Sequence, residues 1–334
     1  MNLFSGKSSL NLDPKHIKPK TSCIFISHAH SDHLPSRRKK PESLPPIVCS
    51  NATAKLFQKR IGYKIDPKNS WENDDFAITT LPNGHTFDST IAKIIEKKND
   101  RKIIYTGDVN LEDRGYLKGY KPEKCDVLIL EATWGDKNRI FPSFQNQMKK
   151  AREYITRQLN HGYPVALLGY SLGKAQLLNY LFGNLCENLF SCTSIWEMEQ
   201  IHRELGLPLY QSQRLSEKNI ESLKNEPWLL FFTHGRNRHP LLMKYRKKYN
   251  LKIVGFSGWA FNQKQYKYQT GADAGFVISD HSDYSKLITI VKQSEPSIVY
   301  TVFGDAIALA KQLQKDGFNA IPLQDKQVSL SNFC

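Results

Sequence analysis

The sequence predicts an α/β fold in two structural units, on three observations. At 334 residues it exceeds a typical single domain. Short apolar runs rich in Ile, Val and Phe recur, and several stop abruptly at a His, Asp or Glu. Between them lie stretches with the 3.6-residue apolar periodicity of helices.

Taken in order, Cys23 to Ser27 reads as a buried strand that empties into His28 and its neighbours, and Ile47-Val48-Cys49 as a second. Asn51 to Arg60 reads as a helix that Asn51 can cap. Phe76 to Leu81 alternates and breaks at Pro82-Asn83-Gly84, just before His85. Strands follow at Ile91 to Lys97, Lys102 to Tyr105 and Val127 to Leu130, the last two leading to Gly107-Asp108 and to Glu131. Side chains at the ends of neighbouring strands converge on one rim of a sheet, where water and substrate reach them. Beyond Phe141-Pro142 come a helix at Gln145 to Leu159, a strand at Pro164 to Gly169, and a helix opened by Ser171-Leu172-Gly173-Lys174-Ala175-Gln176. From Gly275 the order strand, site, helix returns. Phe276 to Ser279 leads into Asp280-His281-Ser282-Asp283, and Ser297 to Val302 into a helix over Ala306 to Gln314.

Composition narrows the function classes. Forty-seven Lys and Arg against 32 Asp and Glu give a formal charge of +15, a field that attracts polyanions. Arg37-Arg38-Lys39-Lys40 places part of that charge directly after the His-rich segment. Six scattered cysteines lack both CxxC spacing and disulfide density, so they read as reduced thiols. No apolar stretch has signal-peptide or membrane-spanning length; the expectation is a cytoplasmic protein without a membrane partner.

The chemistry concentrates in Ser27-His28-Ala29-His30-Ser31-Asp32-His33. His28 and His30 share one face of an extended segment, while Asp32 and His33 fall on the following turn. One loop thereby aims imidazoles at one point and a carboxylate with an imidazole at another. Such donors suit borderline divalent cations, and a pair of ions can clamp the attacking and leaving oxygens of a phosphodiester. His85 and Asp108 gain their meaning by joining this set.

These residues resemble the metallo-β-lactamase fold and, within it, the β-CASP nucleases that process DNA and RNA. The resemblance rests on the His-x-His-x-Asp-His run, the later His85, Thr106-Gly107-Asp108, Glu131, and His281 in Ser279-Asp280-His281-Ser282-Asp283-Tyr284. It implies an αββα sandwich from residues 1–160 and 276–334, with an inserted β-CASP α/β domain at 161–275. It also implies two divalent ions, zinc or manganese. His28, His30 and His85 would hold one, Asp32, His33 and His281 the other, and Asp108 would bridge them. Asp32, Asp108, Glu131 and His281 become the catalytic residues, and Asp13 an early structural Asp or simply a turn residue. Ser171, Lys174 and Ser282 are read as contacts for substrate phosphate.

Segments Ser171 to Gln176 and Ser257-Gly258-Trp259 look most like the ligase-associated DNA exonucleases and more distantly like the Artemis-like group. Phe303 stands where RNA-processing members carry a His, which leans toward DNA. The expected activity is thus a DNA exonuclease of repair or end processing, acting on single strands or duplex ends. A DNA ligase or helicase partner is implied by the family alone. Alternatives are an RNA-processing nuclease, a non-catalytic nucleic-acid-binding scaffold, and a small-ester hydrolase suggested by the Gly-x-Ser-x-Gly motif at Gly169 to Gly173. Trp259 reads as core or as a platform for a stacked base, with core favoured, and His234 and His239, near Arg236 and Arg238, as parts of a polar loop or as phosphate contacts, with the loop favoured.

Overall fold

The computed structural model describes residues 1–36, 44–223, 226–235 and 239–323. Arg37 to Lys40, Arg236, Arg238 and Cys334 lie outside the described residues. The chain divides into two compact units. One comprises Met1–Asp113, Leu117–Ile140 and His281–Cys334, the other Arg114–Tyr116 and Phe141–Asp280.

The first unit contains a five-stranded and a seven-stranded sheet. In the smaller sheet the hairpin Asn2–Ser5 and Ser8–Leu12 is followed, by parallel pairing, by Cys23–Phe25, Ile47–Val48 and Pro67–Lys68. The larger runs in space from Ala320–Pro322 through Ile298–Val302, Val127–Glu131, Arg101–Tyr105, Thr90–Glu96 and Phe76–Pro82 to Ser70–Glu72. Leu10, Leu12, Phe25 and Val48 from one sheet pack with Ile78, Ile94, Ile103 and Ile129 from the other. The opposite face of the larger sheet offers Ile104, Leu128 and Leu130 to Leu287, Ile290 and Val291 of the helix Tyr284–Ser294 and to Leu309 and Leu313 of Ala306–Lys315. This alternation of faces, period 2 in the strands and 3.6 in the helices, makes the sandwich core. The helix Asn51–Ile61 is capped by the Ser50 hydroxyl, which accepts from Thr53 N–H, rather than by Asn51.

The second unit is a single parallel sheet in the order Gln213–Arg214, Leu189–Ser191, Leu229–Thr233, Val165–Gly169, Lys252–Phe256, Ala274–Phe276. The helix Phe144–Asn160, expected in the first unit, belongs to this one. Gln147 is buried at its inner face, and its Oε1 accepts from Val277 N–H at 3.0 Å. The boundary by compactness therefore falls at Phe141 and not at 160. The strand expected over Phe276 to Ser279 ends at Phe276, so the residues up to Asp280 form irregular backbone.

Candidate metal centre

The strand Cys23–Phe25 delivers the chain into a segment that is buried from Ile26 to Ala29 and turns outward at Ser31 and Asp32, and Asp13 organises it. Asp13 Oδ1 accepts from Ser27 N–H at 2.7 Å. Its Oδ2 accepts from Ser27 Oγ, His33 Nδ1 and Tyr105 Oη at 2.6, 2.8 and 2.8 Å. Burial would raise this carboxyl, but the charge and hydrogen bond of His33 outweigh it and hold Asp13 below the usual range. Asp13 thus orients a candidate ligand, the role that carboxylates behind metal-binding imidazoles play. Since the Ser27 hydroxyl donates to Asp13, it accepts from His28 Nδ1–H at 3.0 Å, which turns His28 Nε2 toward the other imidazoles.

His28 Nε2 lies 3.0 Å from His30 Nδ1, which is 3.2 Å from His85 Nε2. Asp108 Oδ2 is 3.4 Å from His28 Nε2 and 3.5 Å from His85 Nε2. A tetrahedral ion with ligand bonds of 2.0–2.1 Å separates its donors by about 3.3–3.4 Å. The separations of 3.0 to 3.5 Å bracket that edge length, and His28, His30, His85 and Asp108 form a group able to hold a divalent metal. Burial keeps His85 well below its ordinary pKa despite the opposing charge of Asp108, and neutral imidazole is the ligating form.

The other oxygen of Asp108 faces a different residue: Oδ1 is 3.3 Å from His33 Nε2. His33 is buried, yet Asp108 and Asp13 overcome the desolvation and raise its pKa well above the ordinary value. A bound cation would take the place of the Nε2 proton between His33 and Asp108, while Nδ1–H stays on Asp13. Asp32, 74% exposed, has Oδ2 3.8 Å from His33 Nε2. His33 Nε2 thus has Asp108 at 3.3 Å and the exposed Asp32 at 3.8 Å, a looser and more open arrangement than the first group. The Thr106-Gly107-Asp108 turn needs its glycine: φ is +53°, and a Cβ there would meet Ser27 Cβ at 2.6 Å.

His281 does not join Asp32 and His33. Its Nδ1 donates to Glu131 at 2.9 Å and lies 4.0 Å from Asp108 Oδ2, the oxygen facing the first group. Asp108, Glu131 and His281 make a second cluster of potential ligands. Glu131 is fully buried and also accepts from Val109 N–H and Thr133 N–H, which fixes its carboxylate against His281.

The expected phosphate contacts fare differently. Ser282 is buried, its Oγ accepting from Leu111 N–H and its N–H donating to Val109 O, a structural tie between chain segments. Lys174 is 1% exposed, bound to Ile278 O at 2.6 Å and Asp280 Oδ1 at 2.8 Å. Arg114 NH1 reaches the same Asp280 oxygen at 3.0 Å. Burial lowers the Lys174 ammonium to about 8 against the pull of Asp280. This lysine neutralises a buried carboxylate instead of waiting for phosphate. Ser171 is half-buried, and among the described residues no hydrogen bond joins its hydroxyl to an imidazole, so the serine-hydrolase triad is not assembled. Trp259 is exposed, contrary to the core reading. His234 bonds Tyr266 Oη at 2.9 Å, and His239 caps the helix Pro240–Tyr249. Tyr105 and Arg114, which hold Asp13 and Asp280, gave no signal in the sequence, because both contacts link residues 92 and 166 positions apart.

Residues 5–159 match the model of the β-lactamase superfamily domain. A protein named "Probable DNA ligase" from Opitutus terrae is 27% identical over 322 residues, 92% of this chain and 29% of the ligase. An "RNase J-like protein" from Methanocaldococcus jannaschii is 25% identical over 51% of this chain and 45% of its own length. From the same organism, "Probable RNase MJ4" is 28% identical over 46% of this chain and 43% of its own. The chain thus spans under half the length of each of these relatives. A crystal structure of a protein of unknown function from Enterococcus faecalis V583 has the same fold, with TM-score 0.54 and 12% identity over 91% of this chain and 79% of that one. Among the described residues no helix is long and apolar enough to cross a membrane. The sandwich, its His and Asp cluster and the match over residues 5–159 make this part of the chain similar to a β-lactamase superfamily domain.

Proposed function

We propose that this chain is a two-metal phosphodiesterase that hydrolyses DNA, acting as an exonuclease in repair or end processing. The observation that carries the reading is Asp108, whose Oδ2 completes the His28, His30 and His85 group while Oδ1 faces His33. One ion would be held by that group, the other by Asp108, His33 and Asp32. When bound, the ions supply Lewis-acid polarisation of the phosphodiester and a lowered pKa for the attacking water. Zinc suits the imidazole-rich set, and manganese is compatible with its carboxylates.

The chain's own groups do the rest. Asp13 fixes the ring of His33. Exposed Asp32 accepts a hydrogen bond from the attacking water and orients it. His281, whose Nδ1 donates to Glu131, would protonate the leaving oxygen from Nε2 when the ring is in its doubly protonated form. The net charge of +15 draws a polyanion to the molecule. The relative named as a DNA ligase, matched along 92% of this chain, supports DNA as the polymer. The second reading, an RNA-processing nuclease, is favoured by the two relatives named as RNase-type proteins.

Pure protein with Zn²⁺ or Mn²⁺ and end-labelled DNA and RNA of one sequence tests this. A ladder shortening from one end of the DNA is expected. Cleavage of RNA alone would move the assignment to the second reading, and cleavage of neither would remove both.

A further inference from the structure

Phe303 is an anomaly beside the metal centre. It stands at φ +61°, a region that bulky residues rarely occupy, and yet the residue is 44% exposed. The cause is the loop that follows the strand Ile298–Val302. Gly304 passes so close to Ala132 and Thr133 that a Cβ would lie 2.4 Å from the backbone of each. Asp305 N–H is tied to Ala132 O at 2.7 Å and Ala306 N–H to Phe303 O at 3.1 Å. The loop is therefore pinned from both sides, and the ring is presented edgewise to His33 with centroids 5.1 Å apart. A strained backbone that exposes an apolar ring is retained only where the surroundings over-determine it, and such positions cluster at functional sites.

The ring opens onto a cleft of about 1130 Å³ within the first unit, which also contains Asp32 of the metal centre. That is larger than the roughly 300–1,000 Å³ of a typical small-molecule pocket. Lys15, Lys18 and Lys311 line it with Ile307, against Asp32 and Asp305. An apolar platform flanked by ammonium groups, next to the candidate reacting centre, is how single-stranded nucleic acid is held: bases stack on the ring while cations follow the backbone. A paired base keeps both faces covered by its neighbours, so the ring is useful only to an unpaired one.

We infer that Phe303 stacks a nucleobase of single-stranded DNA lying in the Lys15, Lys18 and Lys311 cleft, and that this contact selects unpaired ends for the centre. The inference rests on the nuclease reading above but is testable apart from turnover. In EDTA, the protein would be titrated into a DNA oligomer carrying 2-aminopurine, whose fluorescence falls on stacking. Wild type is expected to bind and quench. Phe303→Leu, which keeps apolar bulk but has no aromatic face, is expected to bind about 5- to 150-fold more weakly, the range for loss of one stacked base, and to lose the quench. Phe303→Tyr is expected to retain both. Lys311→Ala is expected to flatten the salt dependence by about 0.7 in log–log slope. Melting curves of each variant identify any that fail to fold, and the tyrosine and lysine variants then decide. Wild-type quenching and affinity in Phe303→Leu would overturn the inference while leaving the nuclease reading intact. So would quenching of an RNA oligomer with none of DNA. A wild-type protein that cleaves no polynucleotide fails the nuclease reading instead.

Discussion

Replacing Asp108 with Ala is expected to abolish phosphodiester hydrolysis and the metal binding on which it depends. Asp108 serves both sides: its oxygens lie 3.3 to 3.5 Å from His33 on one side and from His28 and His85 on the other. Asp13→Ala provides the graded comparison. Asp13 touches His33 and Ser27 but no member of the His28, His30, His85 group directly, so its loss is expected to cost the roughly 10–100-fold typical of partners behind metal ligands. Initial rates with a labelled oligomer, at saturating metal and over a metal titration, check the ranking. A deeper loss in Asp13→Ala than in Asp108→Ala would contradict it.

The largest stability effect is expected in the second unit, at Asp280→Ala. Asp280 Oδ1 receives Lys174 at 2.8 Å and Arg114 at 3.0 Å, and both cations are buried. Removing the carboxylate leaves two uncompensated buried charges, and breaking such a set costs roughly 3–5 kcal/mol. Lys174→Met is expected to cost less, because Arg114 still answers Asp280. The pair also has a pH signature. Lys174 releases its proton near 8 when folded and at its ordinary 10.5 when unfolded, so between those values the unfolded chain holds more protons. Stability contributed by this group accordingly rises with pH across that window. Urea midpoints of wild type minus Lys174→Met, measured from pH 7 to 10, are expected to climb; a flat difference would remove the buried-ammonium assignment.

The contrast between Lys174 and His85 explains how much of the molecule the sequence reveals. His28, His30, His33, His85 and Asp108 were legible because each follows a strand or turn signal, and strand ends share a rim whatever the details of packing. The elements themselves came through to within a residue or two wherever periodicity was long, as in Thr90–Glu96 and Ala306–Lys315. Lys174 and Ser282 were read as phosphate contacts from their neighbours alone, whereas their burial is decided by Asp280 and by Leu111, 106 and 171 positions distant. Asp13 stood open between turn and structural Asp until three partners from Ser27, His33 and Tyr105 met at one oxygen. The hairpin Asn2–Ser5 and Ser8–Leu12 lacked the strong alternation of the inner strands, since both its faces are largely covered. Long-range pairing, rather than local pattern, governs each of these.

Metal stoichiometry tests the centre most directly. Chelator-treated protein would be titrated with Zn²⁺ and weighed by native mass spectrometry, beside His85→Ala and Asp108→Ala. Two bound ions are expected in the wild type. His85→Ala is expected to lose the ion of the His28 and His30 group, and Asp108→Ala to lose both. A wild type that takes up no ion, or variants that bind as the wild type does, would contradict the assignment of this cluster as the catalytic metal centre.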